Sequence, residues 1–322
     1  MFAVYAEGFS TEDPLSGLVV GERPDPVAPD GWTTVTVKAS SLNHHDLWSL
    51  QGVGLRDEAL PMILGCDAAG YDEDGNEVVV HAVISDPAWS GDETLDPKRS
   101  LLSERYQGTF ADKVVVPKGN VIPKPASLSF EEAACLPTAW LTAYRMLFTQ
   151  GRLKPGDTVL VQGAGGGVAT ALIALAHAGG LKVYATSRDE AKRAKALELG
   201  ADEVVDSNAR LPEKVDAVME TVGRATWSHS LRSLRPGGRI VISGATSGPN
   251  PDKAELNRIF FLQLEVVGST MGNRAELASL VNLLDVSGLR PVIDRVLPMT
   301  EARDGFAAMA DGDIFGKVVF TR

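Results

Sequence analysis

The chain has 322 residues, 44% of them hydrophobic, and a mean hydropathy near zero, the composition of a globular protein long enough for two domains. Its 31 basic and 42 acidic side chains give a formal charge of −11, which argues against nucleic acid or an anionic membrane surface as a partner. No stretch approaches the roughly 18 consecutive apolar residues of a membrane helix, the first residues lack the pattern of a signal peptide, and the two cysteines, Cys66 and Cys135, are too few for a disulfide framework, so a cytoplasmic, reduced setting is expected.

Residues 33–38 (TTVTVK), 77–83 (EVVVHAV) and 113–117 (KVVVP) read as short strands broken by Gly, Pro and Asp turns, the signature of a partly antiparallel β region. Residues 86–105 are polar and irregular and are expected to form a surface excursion. The character changes near Ser129. Residues 130–135 and 139–150 read as helices, followed by strands at 159–161, 182–186, 203–205, 217–220, 239–243 and 264–267, with helices between most of them. That alternation predicts a doubly wound parallel sheet. Short strands return at 292–297 and 317–320, which predicts that the tail rejoins the first domain.

The most specific local signal is TVLVQGAGGGVAT at 158–170: an apolar strand, a glycine cluster, then an alanine-rich helical segment. This context turns a glycine pattern into a dinucleotide-binding expectation. Gly163 suits the sharp turn, and Gly165 and Gly166 let a pyrophosphate approach bare backbone. Gly167 and Val168 open the helix whose N–H groups face the phosphates. Read as G-x-G-x-x-G the motif ends on Val168 rather than glycine. Read with one more residue it ends on Ala169, still small enough for close packing.

The second strand of this unit ends in Thr186-Ser187-Arg188, with Lys192 one helical turn on. A hydroxyl and two cations suit a 2′-phosphate, whereas a cofactor without that phosphate commonly meets an acid there. NADPH is therefore expected over NADH. Ser187 also fits a capping box with Glu190, and both roles can hold together.

The segments SLNHHDLW (41–48), LGCDAAG (64–70), GTFADK (108–113), LPTAWLTAY (136–144), the glycine loop, LGAD (199–202), VGRATW (222–227), GSTMG (268–272) and FGK (315–317) follow one another over nearly the whole chain. In that order they resemble the medium-chain dehydrogenase/reductase superfamily, specifically its zinc-independent, quinone oxidoreductase-like branch. The resemblance implies a GroES-like catalytic domain over residues 1–124 and 291–322 and a Rossmann cofactor domain over 125–290. It also implies a homodimer formed through the sheet edge near 264–272.

In the zinc enzymes of the superfamily a Cys, a His and a later Cys hold a catalytic metal. The matching positions here are Asn43, Cys66 and Thr138, which do not make a zinc donor set. The region matching the four-cysteine lobe, 86–105, has no cysteine. No metal is expected. By the resemblance, Asn43 stabilises substrate oxygen charge and His45 stands where a proton relay lies, so these two are the candidate catalytic residues, while Asp46 fixes the loop. His44, Thr138, Gly244, Ala245, Thr246, Ser269, Thr270, Met271 and Lys317 are expected on the cofactor side, and Trp48 and Phe110 as apolar walls of a substrate pocket.

The function expected is a zinc-independent, NADPH-dependent oxidoreductase passing hydride to a quinone or another activated alkene or carbonyl, a small-molecule electrophile. The alternatives are an alcohol or aldehyde dehydrogenase of the same superfamily and a non-catalytic NADPH-binding protein.

Overall fold

The computed structural model describes all residues, Met1–Arg322. Two compact units emerge, one of residues 1–141 with 271–322 and the other of residues 142–270. The segments 125–141 and 271–290, expected with the cofactor domain, belong to the first unit.

The first unit is built on a sheet in the order Val121–Pro123, Glu77–Val80, Asp67–Tyr71, Trp32–Ser41, Lys317–Thr321 and Ile293–Pro298, with Lys113–Pro117 also pairing with Trp32–Ser41. All of its pairings are antiparallel except that between the two C-terminal strands. In Trp32–Ser41 the side chains of Thr33, Val35, Val37 and Ala39 point inward while Thr36 and Lys38 face water, the period-2 pattern that made the strand readable. The tail does rejoin this unit, and its Phe320 packs edge-on to Phe110 at 5.2 Å. Phe110 also meets Phe306 at right angles and is fully enclosed in the apolar core, so it does not wall a substrate pocket as expected.

The excursion at 86–105 is tied together by its own carboxylates. Asp96 accepts backbone N–H bonds from Asp86 (2.7 Å) and Lys98 (2.8 Å), and Asp92 accepts from the Thr94 amide and hydroxyl. Glu93 pairs with Arg274 of the helix Arg274–Ser287.

The second unit carries a six-stranded, all-parallel sheet in the order Glu203–Val205, Lys182–Thr186, Thr158–Val161, Val215–Glu220, Leu234–Ile242, Glu265–Gly268. In sequence terms this is 3-2-1-4-5-6, the doubly wound order whose ligands bind beyond the carboxyl ends of the strands. Its central strand Thr158–Val161 is a nearly continuous apolar run, as burial on both faces requires, whereas its neighbour Val215–Glu220 also carries Asp216 and Glu220. The single helix predicted over 139–150 is instead a regular turn, Leu141–Tyr144, between the wider π-helical segments Leu136–Trp140 and Arg145–Gln150, the first of which has Pro137 as its second residue. No helix is long and apolar enough to cross a membrane.

Candidate active site and cofactor loop

In the first unit the strand Trp32–Ser41 runs into the helix His44–Leu50, and Asn43 is the residue between them. Asp46 closes this corner: one carboxylate oxygen accepts the Asn43 N–H at 2.8 Å and the other the Gly65 N–H at 3.0 Å. Gly65 holds φ +96, and a Cβ there would lie 2.5 Å from atoms of Phe110 and Thr109, so the turn that delivers Cys66 and Asp67 requires glycine.

Asp67 is wholly buried. Its Oδ2 accepts from the Ser41 hydroxyl (2.7 Å) and the Asn43 amide (2.8 Å) and pairs with the Lys317 ammonium at 3.4 Å. Lys317 also donates to the Leu42 carbonyl (2.7 Å) and to Asn43 Oδ1 (2.6 Å). The Asn43 amide is thus spent on Lys317, Asp67 and the Ser41 carbonyl (3.3 Å), and it holds this cluster rather than standing free to stabilise a substrate oxygen. Lys317, expected on the cofactor side, turns its ammonium into the same buried network.

His45 projects to the other side of the corner. Its Nδ1 lies 3.4 Å from Cys66 Sγ and 3.9 Å from Asp46 Oδ1, and its Nε2 lies 3.1 Å from Glu104 Oε1. Burial pushes the Cys66 thiol up while the neighbouring His45 draws it down, and its sulfur lies 3.2 Å from the Leu102 carbonyl. Burial also works against charge on His45, but the Cys66 sulfur, Asp46 and Glu104 outweigh it and hold the imidazole well above its usual range. Burial lowers His44, and the Lys317 charge adds to that effect. The half-buried Trp48 has its ring 6.1 Å from that of His44. The Thr138 hydroxyl and Asp67 Oδ1 are buried polar atoms without a protein partner.

These residues do not fit a tetrahedral zinc ion. Asn43 is saturated, Cys66 is turned to Leu102 and His45, and Thr138 supplies only a hydroxyl. His45, Asp46 and Cys66 do bring ligand-type atoms within 4.8 Å of one another, yet both Asp46 oxygens already receive backbone N–H groups.

The glycine loop of the second unit fits a dinucleotide. Gly163 has φ +76, with Val222 2.9 Å from where a Cβ would be, and its N–H donates to the Thr186 hydroxyl. Gly166 precedes the helix Gly167–Ala178 with no side-chain cap, which leaves the first N–H groups of that helix, from Gly167 and Val168, directed at a ligand position. Behind the loop, Gln162 bridges the Thr186 hydroxyl (2.7 Å), His229 Nδ1 (2.8 Å) and the Ser230 hydroxyl (2.9 Å). Buried Glu220 accepts from Ser230, Thr226 and the amides of Val222 and Gly223.

At the end of the second strand Ser187 is buried and Arg188 exposed. The Lys192 side chain passes 3.0 Å from a Cβ placed on Gly165, which brings it beside the loop. The helix Glu190–Glu198 is capped by Asp189, which accepts the Lys192 N–H, not by Ser187, whose hydroxyl accepts the Asp189 N–H. Asp189 reaches the better cap geometry because it directly precedes the first helical residue.

Gly244, Ala245 and Thr246 follow the fifth strand, with the Thr246 N–H bonded to the Thr221 carbonyl (3.2 Å). Ser269 and Thr270 follow the sixth. Met271 departs from expectation: it holds φ +49 and its side chain is packed in the first unit's core beside Cys66 and Val80.

A parallel sheet in this order, with a bare-backbone glycine turn and a capless helix start, defines a dinucleotide-binding domain, here joined to a β-rich unit with a polar buried corner. Residues 29–126 match the model of the alcohol dehydrogenase GroES-like domain and residues 167–285 that of the zinc-binding dehydrogenase. The chain is 28% identical to the acryloyl-coenzyme A reductase of Sulfurisphaera tokodaii, with 95% of this chain and 97% of that protein covered. A crystal structure of an NAD-dependent alcohol dehydrogenase superposes with a TM-score of 0.92 at 34% identity over 100% of both chains. The 2-octenoyl-CoA carboxylase reductase CinF, solved in complex with NADP and 2-octenoyl-CoA, superposes at 0.92 and 26% identity, over 99% of this chain and 87% of that one. The chain belongs to the medium-chain dehydrogenase/reductase superfamily and is an oxidoreductase of that kind.

Proposed function

We propose that the chain is an NADPH-dependent reductase of quinones or other activated alkenes and carbonyls, that it works without a metal, and that it acts as a homodimer. The observation that carries this reading is the Lys317–Asn43–Asp67 cluster, in which Asn43, at one of the positions matching the superfamily's metal ligands, is an amide already bound to an ammonium and a carboxylate. Without a Lewis acid to polarise a simple carbonyl, the substrate must already delocalise the charge that hydride addition creates. The names of two similar proteins, for acryloyl-coenzyme A and 2-octenoyl-CoA, point to conjugated alkenes of that kind.

A bound nicotinamide supplies the hydride. The pyrophosphate falls to Gly163, Gly165, Gly166, Gly167 and Val168, and the 2′-phosphate to Ser187, Arg188 and Lys192. The nicotinamide side falls to Gly244, Ala245, Thr246, Ser269 and Thr270. His45, within 3.1 Å of the Glu104 carboxylate, delivers the proton that completes reduction. Trp48 remains the candidate apolar wall. The dimer reading is supported by the edge strand Glu265–Gly268, whose Val266 is exposed, and by Phe260 and Phe261 beside it.

The 3.4 Å approach of Cys66 to His45, the two donor types zinc favours, supports alcohol or aldehyde oxidation as the second reading. Oxidation of NADPH and NADH by chelator-treated protein over a panel of quinones, enones and aldehydes separates the two. Turnover of quinones or enones with NADPH supports the reductase. Turnover confined to aldehydes, or abolished by the chelator, overturns it.

A further inference from the structure

The excursion at 86–105 ends in a turn that the site uses. Ser103, wholly buried, holds φ +65, a left-handed conformation that a non-glycine residue adopts only when its surroundings impose it. Here the Ser103 N–H is bonded to the Tyr106 carbonyl (2.8 Å) and the Leu102 N–H to the Ala82 carbonyl (3.1 Å). This pinned turn aims the next side chain, Glu104, at His45, with Oε1 on Nε2 at 3.1 Å and Oε2 accepting the Leu101 N–H at 3.4 Å.

A carboxylate can only accept, so Nε2 carries a proton and the second, removable proton belongs on Nδ1. Nδ1 faces poorer partners: the thiol of Cys66 at 3.4 Å and Asp46 Oδ1 at 3.9 Å, the latter already holding a backbone N–H. Glu104, Asp46 and Cys66 are the titratable groups that face the ring. Glu104 is also the most solvent-reached of them, its side chain 28% exposed against 19% for His45.

We propose that Glu104 is a positioning residue for the reduction: it fixes His45 as the Nε2–H form and leaves the Nδ1 proton as the one delivered. This rests on the reading of His45 as proton donor. When hydride has added to the substrate carbon, the resulting oxyanion takes the Nδ1 proton. The neutral ring keeps its Nε2 proton on Glu104 and regains the other from water.

The test is NMR of histidine-labelled full-length protein, with the His45 signals assigned by their loss in His45→Asn. Glu104→Gln preserves shape and an acceptor oxygen but removes the charge, so the His45 midpoint is expected to fall by about one pH unit, a tenfold change. Glu104→Asp keeps the charge at a longer reach and is expected to fall between. An unmoved midpoint in Glu104→Gln, or a neutral ring protonated on Nδ1, overturns the proposal. The pH profile of turnover is a separate readout. A profile that follows the ring midpoint supports both readings. A moved midpoint with an unmoved profile overturns His45 as proton donor while the Glu104–His45 pairing stands.

Discussion

Lys317 Nζ and Asp67 Oδ2 lie 3.4 Å apart with side chains 2% and 0% exposed, at the ends of two strands that flank Trp32–Ser41 on either side. Ser41, between them, adds its hydroxyl to the same carboxylate oxygen. The C-terminal strand is therefore bound to the Asn43–Asp67 corner by charge as well as by its ladder.

Lys317→Met leaves the Asp67 carboxylate buried and unpaired, and is expected to cost about 3–5 kcal/mol of stability in urea unfolding. Lys317→Met combined with Asp67→Asn is expected to recover a large part of that loss, because the uncompensated charge is gone. A double variant as unstable as the sum of the single ones would show that the pair is not coupled.

Arg188→Ala and Lys192→Ala are each expected to weaken NADPH binding by about tenfold, near 1.4 kcal/mol, and to leave NADH binding unchanged. Fluorescence titration with both cofactors reads this directly. An equal loss for the two would remove these residues from a 2′-phosphate site.

His81 is buried with neither ring nitrogen bonded, and burial takes its pKa down to about 4. The nearby charges of Glu93, Arg274 and Asp92 do not offset this. Its folded pKa lies below its unfolded value of 6.5, so the unfolded chain binds more protons between these two pH values. The resulting stability is complete above about pH 6.5 and is lost as pH falls towards 4, by about 3 kcal/mol at most. His81→Gln should flatten that part of the stability curve from pH 7 to 4. A slope equal to that of the parent protein would assign the acid loss to other groups.

Val266→Lys places a charge on the outer strand of the parallel sheet, where Val266 is 44% exposed. If the protein dimerises through this edge, light scattering after gel filtration should show the mass fall by half. An unchanged dimer mass would move the interface elsewhere.

The cofactor half was the more legible in sequence, because its parallel strands carry short apolar runs and its turns are glycine or polar clusters. Its boundaries fell within a few residues of those observed, save Leu234–Ile242, which starts earlier at a stretch holding Pro236 and two glycines. The corner of the first unit was legible in composition but not in wiring. SLNHHDLW named Asn43, His45 and Asp46, yet the partner that saturates Asn43 stands 274 positions away and the one that holds His45 stands 59 away. Long-range pairing of this kind leaves no local period. Phe110 read as a pocket wall because a lone aromatic says nothing of what surrounds it; here two further phenylalanines enclose it. Gln162 and Glu220, which brace the cofactor loop from behind, carry no motif at all.

The excursion at 86–105 holds its shape with carboxylates on backbone amides and with Lys98 on Asp86 at 2.8 Å. The Lys98 ammonium and the Ala88 amide hold the Asp86 carboxyl below its ordinary range. With no cysteine among residues 86–105, the lobe has no thiol to oxidise or to offer a metal. The turn that aims Glu104 is held instead by backbone bonds, Ser103 to Tyr106 and Leu102 to Ala82.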